Sequence, residues 1–111
     1  HESLRGRVVT TVDFVAGRQR GVDAYGHGTH VAGIVSGNVT RGKGRFAGVA
    51  PGAHLVNLRV LDARGQGTTS DVIAAIEWAI ANKNTFGLRV INLSLGKPVL
   101  ESWVDDPLVQ A

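Results

Sequence analysis

Hydrophobic and polar positions along the 111 residues fall into a short series of alternating blocks. Residues 7–14 (RVVTTVDF) are rich in β-branched side chains and bounded by glycines, which predicts a strand. Residues 15–26 are polar and Gly-rich and read as a loop. From His27 to Gly37, the apolar Val31, Ala32, Ile34 and Val35 recur at helical spacing. Gly28 and Gly33 weaken such a helix relative to Ala, so they point to something packing close. Asn38 to Arg45 reads as a mobile loop, and residues 47–53 as a turn after a short apolar run. His54 to Leu61 alternates, which predicts a second strand. Its Val56, Leu58 and Val60 form an apolar face. Leu55, Asn57 and Arg59 form a mixed one, suited to an edge or a partner surface. Thr68-Thr69-Ser70-Asp71 is a capping-box sequence. It opens a helix over 70–83 with Val72, Ile73, Ile76, Ala79 and Ile80 on one stripe, ending among residues 82–84. Residues 89–95 (RVINLSL) predict a third strand, and Asp106-Pro107 a helix N-cap followed by Pro at the first helical position.

Strand 54–61, helix 70–83 and strand 89–95 make a strand–helix–strand unit, which sets its strands parallel with a right-handed crossover. Strands alternating with helices define the fold class as α/β, with a mainly parallel sheet. Ligands of such sheets gather beyond the carboxyl ends of the strands. Residues 62–69 and 96–98 lie on that edge.

Composition removes several function classes. The length is that of one domain at most. With 43% apolar and 19% charged residues the chain is not of the disordered class. The absence of Cys excludes disulfides and thiolate metal sites. No run approaches the roughly 20 apolar residues of a membrane span, and no repeat is visible. The net charge of +3 comes from scattered cations, densest at Arg41-Gly42-Lys43-Gly44-Arg45. A nucleic-acid binder would show a basic stripe with stacking aromatics, so no nucleic-acid partner is expected. Glycine, 15 of 111 residues, is about twice its usual ~7%, the mark of many tight turns. The chain begins with His and contains no Met, so it is expected to be a piece of a longer protein.

The sharpest chemical feature is Asp23-Ala24-Tyr25-Gly26-His27-Gly28-Thr29-His30-Val31-Ala32-Gly33. His27 stands at a helix start between two glycines, where a substrate and a nucleophile can approach the ring. The positive end of the helix favours neutral imidazole, the form that accepts a proton. His27 and His30 lie three apart on one helix face, with Asp23 near. Structural zinc usually takes four ligands, and no fourth is evident.

Residues 26–33 resemble the histidine motif of the subtilisin-like serine proteases. Gly48-Val49-Ala50-Pro51 resembles that family's turn before its next strand, Ile76-Glu77-Trp78-Ala79-Ile80 its intervening helix, and Val90-Ile91-Asn92-Leu93-Ser94-Leu95-Gly96 its substrate-binding strand. The four segments follow in the family's order and span nearly the whole chain. The resemblance implies a three-layer α/β/α subtilisin-like peptidase domain, of which residues 1–111 are a part. It implies hydrolysis of peptide bonds by an Asp, His and Ser triad in that chain order. His27 matches the catalytic histidine, and His30 a second one with a packing role. Neither Asp13-Phe14-Val15 nor Asp23-Ala24-Tyr25 fits the family's D-[ST]-G motif, so the triad Asp is expected before His1. The Ser of G-T-S-x-A is expected after Ala111. The chain alone is therefore expected to be inactive.

By the same resemblance, Ser94, Leu95 and Gly96 pair with an extended substrate backbone, and Gly65, Gln66 and Gly67 form the opposite wall. Thr69 borders a further subsite. Lys97, where the family often has Gly, is expected to favour acidic substrate residues. No cofactor is required. Structural calcium belongs to many family members, but residues 38–45 offer three cations and no carboxylate, against calcium's preference for anionic oxygen. The expected partners are a polypeptide substrate and a propeptide or the remainder of the catalytic domain, with no membrane partner; the expected location is extracellular. Two alternatives remain at this stage: an inactive pseudo-protease acting as a peptide-binding module, and a complementation fragment.

Overall fold

A computed structural model describes residues 1–15, 22–41, 44–96 and 104–110. A single 3-10 turn, Glu2–Leu4, leads into strand β1, Val8–Asp13. Helix α1 covers His27–Ser36, strands β2 and β3 cover Asn38–Arg41 and Gly44–Ala47, and strand β4 covers Leu55–Arg59. Helices α2 (Thr69–Ala81), α3 (Lys83–Phe86) and α4 (Pro107–Gln110) follow. The arrangement is α/β, with a parallel pair of strands and helices around it.

β1 and β4 pair in parallel, with Thr10 opposite Val56, Val12 opposite Leu58 and Asp13 opposite Arg59. The connection between them carries α1 and the β2–β3 hairpin, the long crossover that parallel strands require. At the carboxyl end of the pair, Arg59 Nη1 donates to both carboxylate oxygens of Asp13, at 3.0 and 2.9 Å. The two side chains are only 8% and 15% exposed. Arg59 therefore does not present the edge or partner surface that the mixed face of residues 54–61 predicts. A buried guanidinium needs a buried carboxylate, and the parallel register sets Asp13 directly beside it.

The N-cap half of the capping-box expectation for α2 is met. Thr68 Oγ1 accepts from the Asp71 N–H at 3.1 Å. The buried face differs from the predicted stripe. Val72, Ala75 and Ala79 are buried, while Ile80 is 61% exposed. The small alanines let the helix approach its neighbours closely, so the face is chosen by fit as much as by apolar character. After a break at Asn82, which returns its N–H to Trp78 and Ile80 carbonyls, the chain makes one more helical turn as α3. Val60, Val72 and Ala75 form a small core with Phe14, Leu58, Leu61, Ile76, Leu95 and Leu108 packed on it. Leu108 belongs to α4, where Asp106 Oδ1 accepts from the Leu108 N–H at 2.9 Å, as the Asp-Pro pair predicts.

Two further sequence expectations need correction. Residues 38–45 are not a loop. Asn38–Arg41 and Gly44–Ala47 form an antiparallel hairpin with Val39 opposite Phe46 and Thr40 opposite Arg45. Positions 42–43 lie outside the described residues. Residues 89–95 are not a paired strand. They carry no ladder, and Val90, Ile91 and Leu93 are 85%, 51% and 50% exposed. A strand exists only through its neighbours' hydrogen bonds, and no described strand lies beside this one. The predicted strand–helix–strand unit is accordingly replaced by the β1–β4 pair.

The turn at Gly48-Val49-Ala50 closes the end of α1. The N–H groups of Gly48, Val49 and Ala50 donate to the carbonyls of Gly37, Ile34 and Val35 at 2.7–2.9 Å. A Cβ on Gly48 would lie 2.6 Å from the Ile34 oxygen, so glycine is required for the approach. No helix among the described residues is long and apolar enough to cross a membrane.

Candidate active site

His27 is the first residue of α1. The residue before it, Gly26, takes a left-handed conformation (φ 88°) and has no side chain with which to cap the helix. Asp23 does so from three residues upstream. Its Oδ1 accepts from the Gly26 N–H at 2.8 Å and its Oδ2 from the Thr29 N–H at 2.7 Å. Partial burial pushes the Asp23 carboxyl up. The hydrogen bonds from the Thr29 side chain and from the Thr29 and Gly26 amides, with the nearby His27, outweigh that and leave it below its ordinary value. Asp23 is thus occupied as a cap, and no group of three metal-ligating side chains occurs among the described residues. His30 is exposed among the described residues.

The His27 ring reaches across to the other end of the chain. Its Nε2 lies 2.7 Å from the carbonyl oxygen of Ser94. A carbonyl only accepts, so Nε2 is the donor in this bond.

An open cleft of about 710 Å³ lies beside this bond. His27, Gly65, Gln66, Gly67, Ser94, Leu95 and Gly96 all line it. The seven positions marked by the family resemblance, from three separated segments, thus meet in one cavity. Thr69 lines it as well, with Thr68, Leu61, Val72 and Leu108 adding an apolar side. Lys97 and Pro98 lie outside the described residues.

The loop at 62–67 is shaped by a residue the sequence did not single out. Asp62 Oδ1 accepts from the N–H groups of Arg64 and Gln66, at 2.8 and 2.9 Å. The Asp62 N–H returns to the Gln66 carbonyl at 2.7 Å. The bonds from the Gln66 and Arg64 amides hold the Asp62 carboxyl below its ordinary value. Gly65 needs φ 76°, and a Cβ there would meet the Tyr25 ring at 3.0 Å. A Cβ on Gly67 would lie 2.1 Å from the Val60 oxygen. Both glycines are therefore fixed by space, and Tyr25 joins the loop to the His27 segment. The Asp-x-Arg-Gly sequence is an Asx-turn signal that could have marked Asp62, as an Asp shortly before a helix could have marked Asp23.

A histidine at a helix start, an extended segment and a glycine loop surround one cleft on an α/β frame. The chain belongs to the subtilase family, peptidase S8, whose sequence model matches residues 2–110. It is 34% identical over 116 residues to the serine protease AprX of Bacillus subtilis, covering 100% of this chain and 26% of that protein. It is 43% identical over 96 residues to alkaline serine exoprotease A of Vibrio alginolyticus, covering 86% of this chain and 16% of that protein. It is 45% identical over 93 residues to subtilisin DY of Bacillus licheniformis, covering 83% and 31%. The chain thus spans between about a sixth and a third of the length of these curated relatives.

Proposed function

We propose that residues 1–111 are part of the catalytic domain of an extracellular serine endopeptidase and supply its general base, His27. The observation that carries the reading is the convergence of His27, residues 65–67 and residues 94–96 on one cleft. The relatives named as serine proteases support the reaction class, and the one named an exoprotease supports the location.

The chemistry follows from what each group offers. A serine hydroxyl from outside residues 1–111 attacks the scissile carbonyl. His27 takes its proton and returns it to the leaving amine, and water then hydrolyses the acyl-enzyme with the proton transfers repeated. An aspartate, also from outside these residues, holds Nδ1–H so that Nε2 is the basic nitrogen. For that tautomer the ring must give up its bond to Ser94. The Ser94–Gly96 backbone then pairs with an extended substrate, and Gly65–Gly67 borders its other side. No cofactor is needed for these steps. The partners are a polypeptide substrate and the rest of the domain or a propeptide.

One observation favours a second reading, a peptide-binding module without turnover. The Nε2 that should act as base is donating to Ser94. Hydrolysis of a chromogenic peptide by the intact protein separates the two. The endopeptidase reading predicts turnover that falls at least ~10⁴-fold in His27→Ala, and none from residues 1–111 alone. Saturable peptide binding without turnover in the intact protein supports the module instead.

A further inference from the structure

Asp23 does not line the cleft, yet its carboxylate is built around the residue that does. Oδ1 accepts from the N–H of Gly26, immediately before His27, and Oδ2 from the N–H of Thr29, two residues after it. Oδ2 also sits where a Cβ on Gly28 would be 3.6 Å away, so the group lies against the backbone of the first turn. The carboxylate therefore brackets His27 on both sides along the chain.

The first turn of a helix leaves its N–H groups without internal partners, and a free first turn frays. Gly26 makes that worse here, because it has a left-handed backbone and no capping side chain. A frayed turn would carry the His27 Cα and its ring with it. Catalysis by an imidazole depends on sub-ångström placement, and a displacement of about 1 Å can cost ~100-fold in rate.

We propose that Asp23 is a positioning residue for His27, its carboxylate fixing the first turn of α1 from Gly26 to Thr29 and with it the direction of the imidazole into the cleft. The proposal rests on His27 being the general base. An ordinary helix cap would affect only how much protein is folded. A positioning residue also affects the rate of each folded molecule.

The test is made in the intact peptidase with Asp23→Ala, Asp23→Asn and His27→Ala. Folded, reactive sites are counted by titration with a sulfonyl fluoride. kcat and KM are measured with a chromogenic peptide, and the His27 ring and the Gly26 and Thr29 amides are followed by NMR. For Asp23→Ala, kcat per titrated site should fall about 10–100-fold with KM within ~3-fold. Asp23→Asn, which keeps one acceptor oxygen, should recover part of that loss. The His27 ring signals should broaden or double. An unchanged kcat per site, with only the melting temperature lowered, overturns the proposal. So does an Asp23→Asn loss equal to that of Asp23→Ala. Should Asp23→Ala not fold, Asp23→Asn carries the same readouts. If the wild type does not hydrolyse peptide, or His27→Ala hydrolyses it normally, the endopeptidase reading fails. The NMR comparison then decides positioning alone: a single His27 ring environment and protected Gly26 and Thr29 amides in the wild type, lost in the variants, uphold it.

Discussion

The two sides of the cleft are held in different ways. The His27 side is tied locally. Asp23 bonds residues three and six positions on, and Gly48–Ala50 close the carbonyl end of α1. The Ser94 side is extended and largely exposed, attached through the packing of Leu95 on the α2 core and the His27–Ser94 bond. Short-range hydrogen bonds make the first side a property of its own sequence. The second side has the sequence of a strand, and among the described residues no neighbouring strand holds it. A catalytic base needs fixed geometry before substrate arrives, whereas a substrate-pairing edge must leave its backbone groups free. The difference therefore matches what each side does in the proposed reaction.

The comparison can be broken most severely through the frame that carries the glycine loop. Arg59→Ala removes the guanidinium that bonds both Asp13 carboxylate oxygens and should cost about 3 kcal/mol in unfolding free energy, read from urea titration. A loss near zero would mean that the pair does not hold the end of the β1–β4 sheet. Next comes Gly48→Ala, whose Cβ would press into the end of α1 at 2.6 Å from the Ile34 oxygen. It should cost about 2 kcal/mol and loosen α1 selectively. Uniform loosening of the whole chain would remove the distinction between the two sides. Leu95→Ala should cost less, about 1 kcal/mol, because the residue is only part-buried. Its signature is an increase in proteolysis confined to residues 88–96.

The smallest effect is on pH. Asp23 and Asp62 both have folded pKa values below their ordinary ones. Their stabilisation is complete above the unfolded carboxylate value, about 3.9, and is lost as pH falls through the lowered folded values. Amide signals of Gly26, Thr29 and Gln66 should therefore hold steady down to about pH 4 and change below it. A change centred near pH 6 would assign the transition to a histidine instead.

What the sequence revealed follows the same division. The α1 start, the Thr68 cap of α2 and the Asp106-Pro107 start of α4 are encoded within a few residues, and each forms as its sequence predicts. The β2–β3 hairpin was hidden by its charge, since Arg41-Gly42-Lys43-Gly44-Arg45 looks like a solvated loop until Val39 is set against Phe46. Residues 89–95 failed in the opposite sense. Their alternation is that of a strand, but alternation does not supply a partner. The positions that line the cleft were legible because the family resemblance marked them. Asp23, Tyr25 and Asp62, which shape the surroundings through backbone amides and a glycine contact, carry no motif of their own for catalysis.

Amide hydrogen exchange, measured on the 111-residue chain and on the intact protein, tests the central comparison most directly. The account predicts that the Thr29 and Gly48–Ala50 amides are protected in both. Residues 89–93 should exchange freely in the shorter chain and slow at least ~100-fold in the intact protein. Protection of residues 89–93 in the shorter chain equal to that of Thr29 would contradict it.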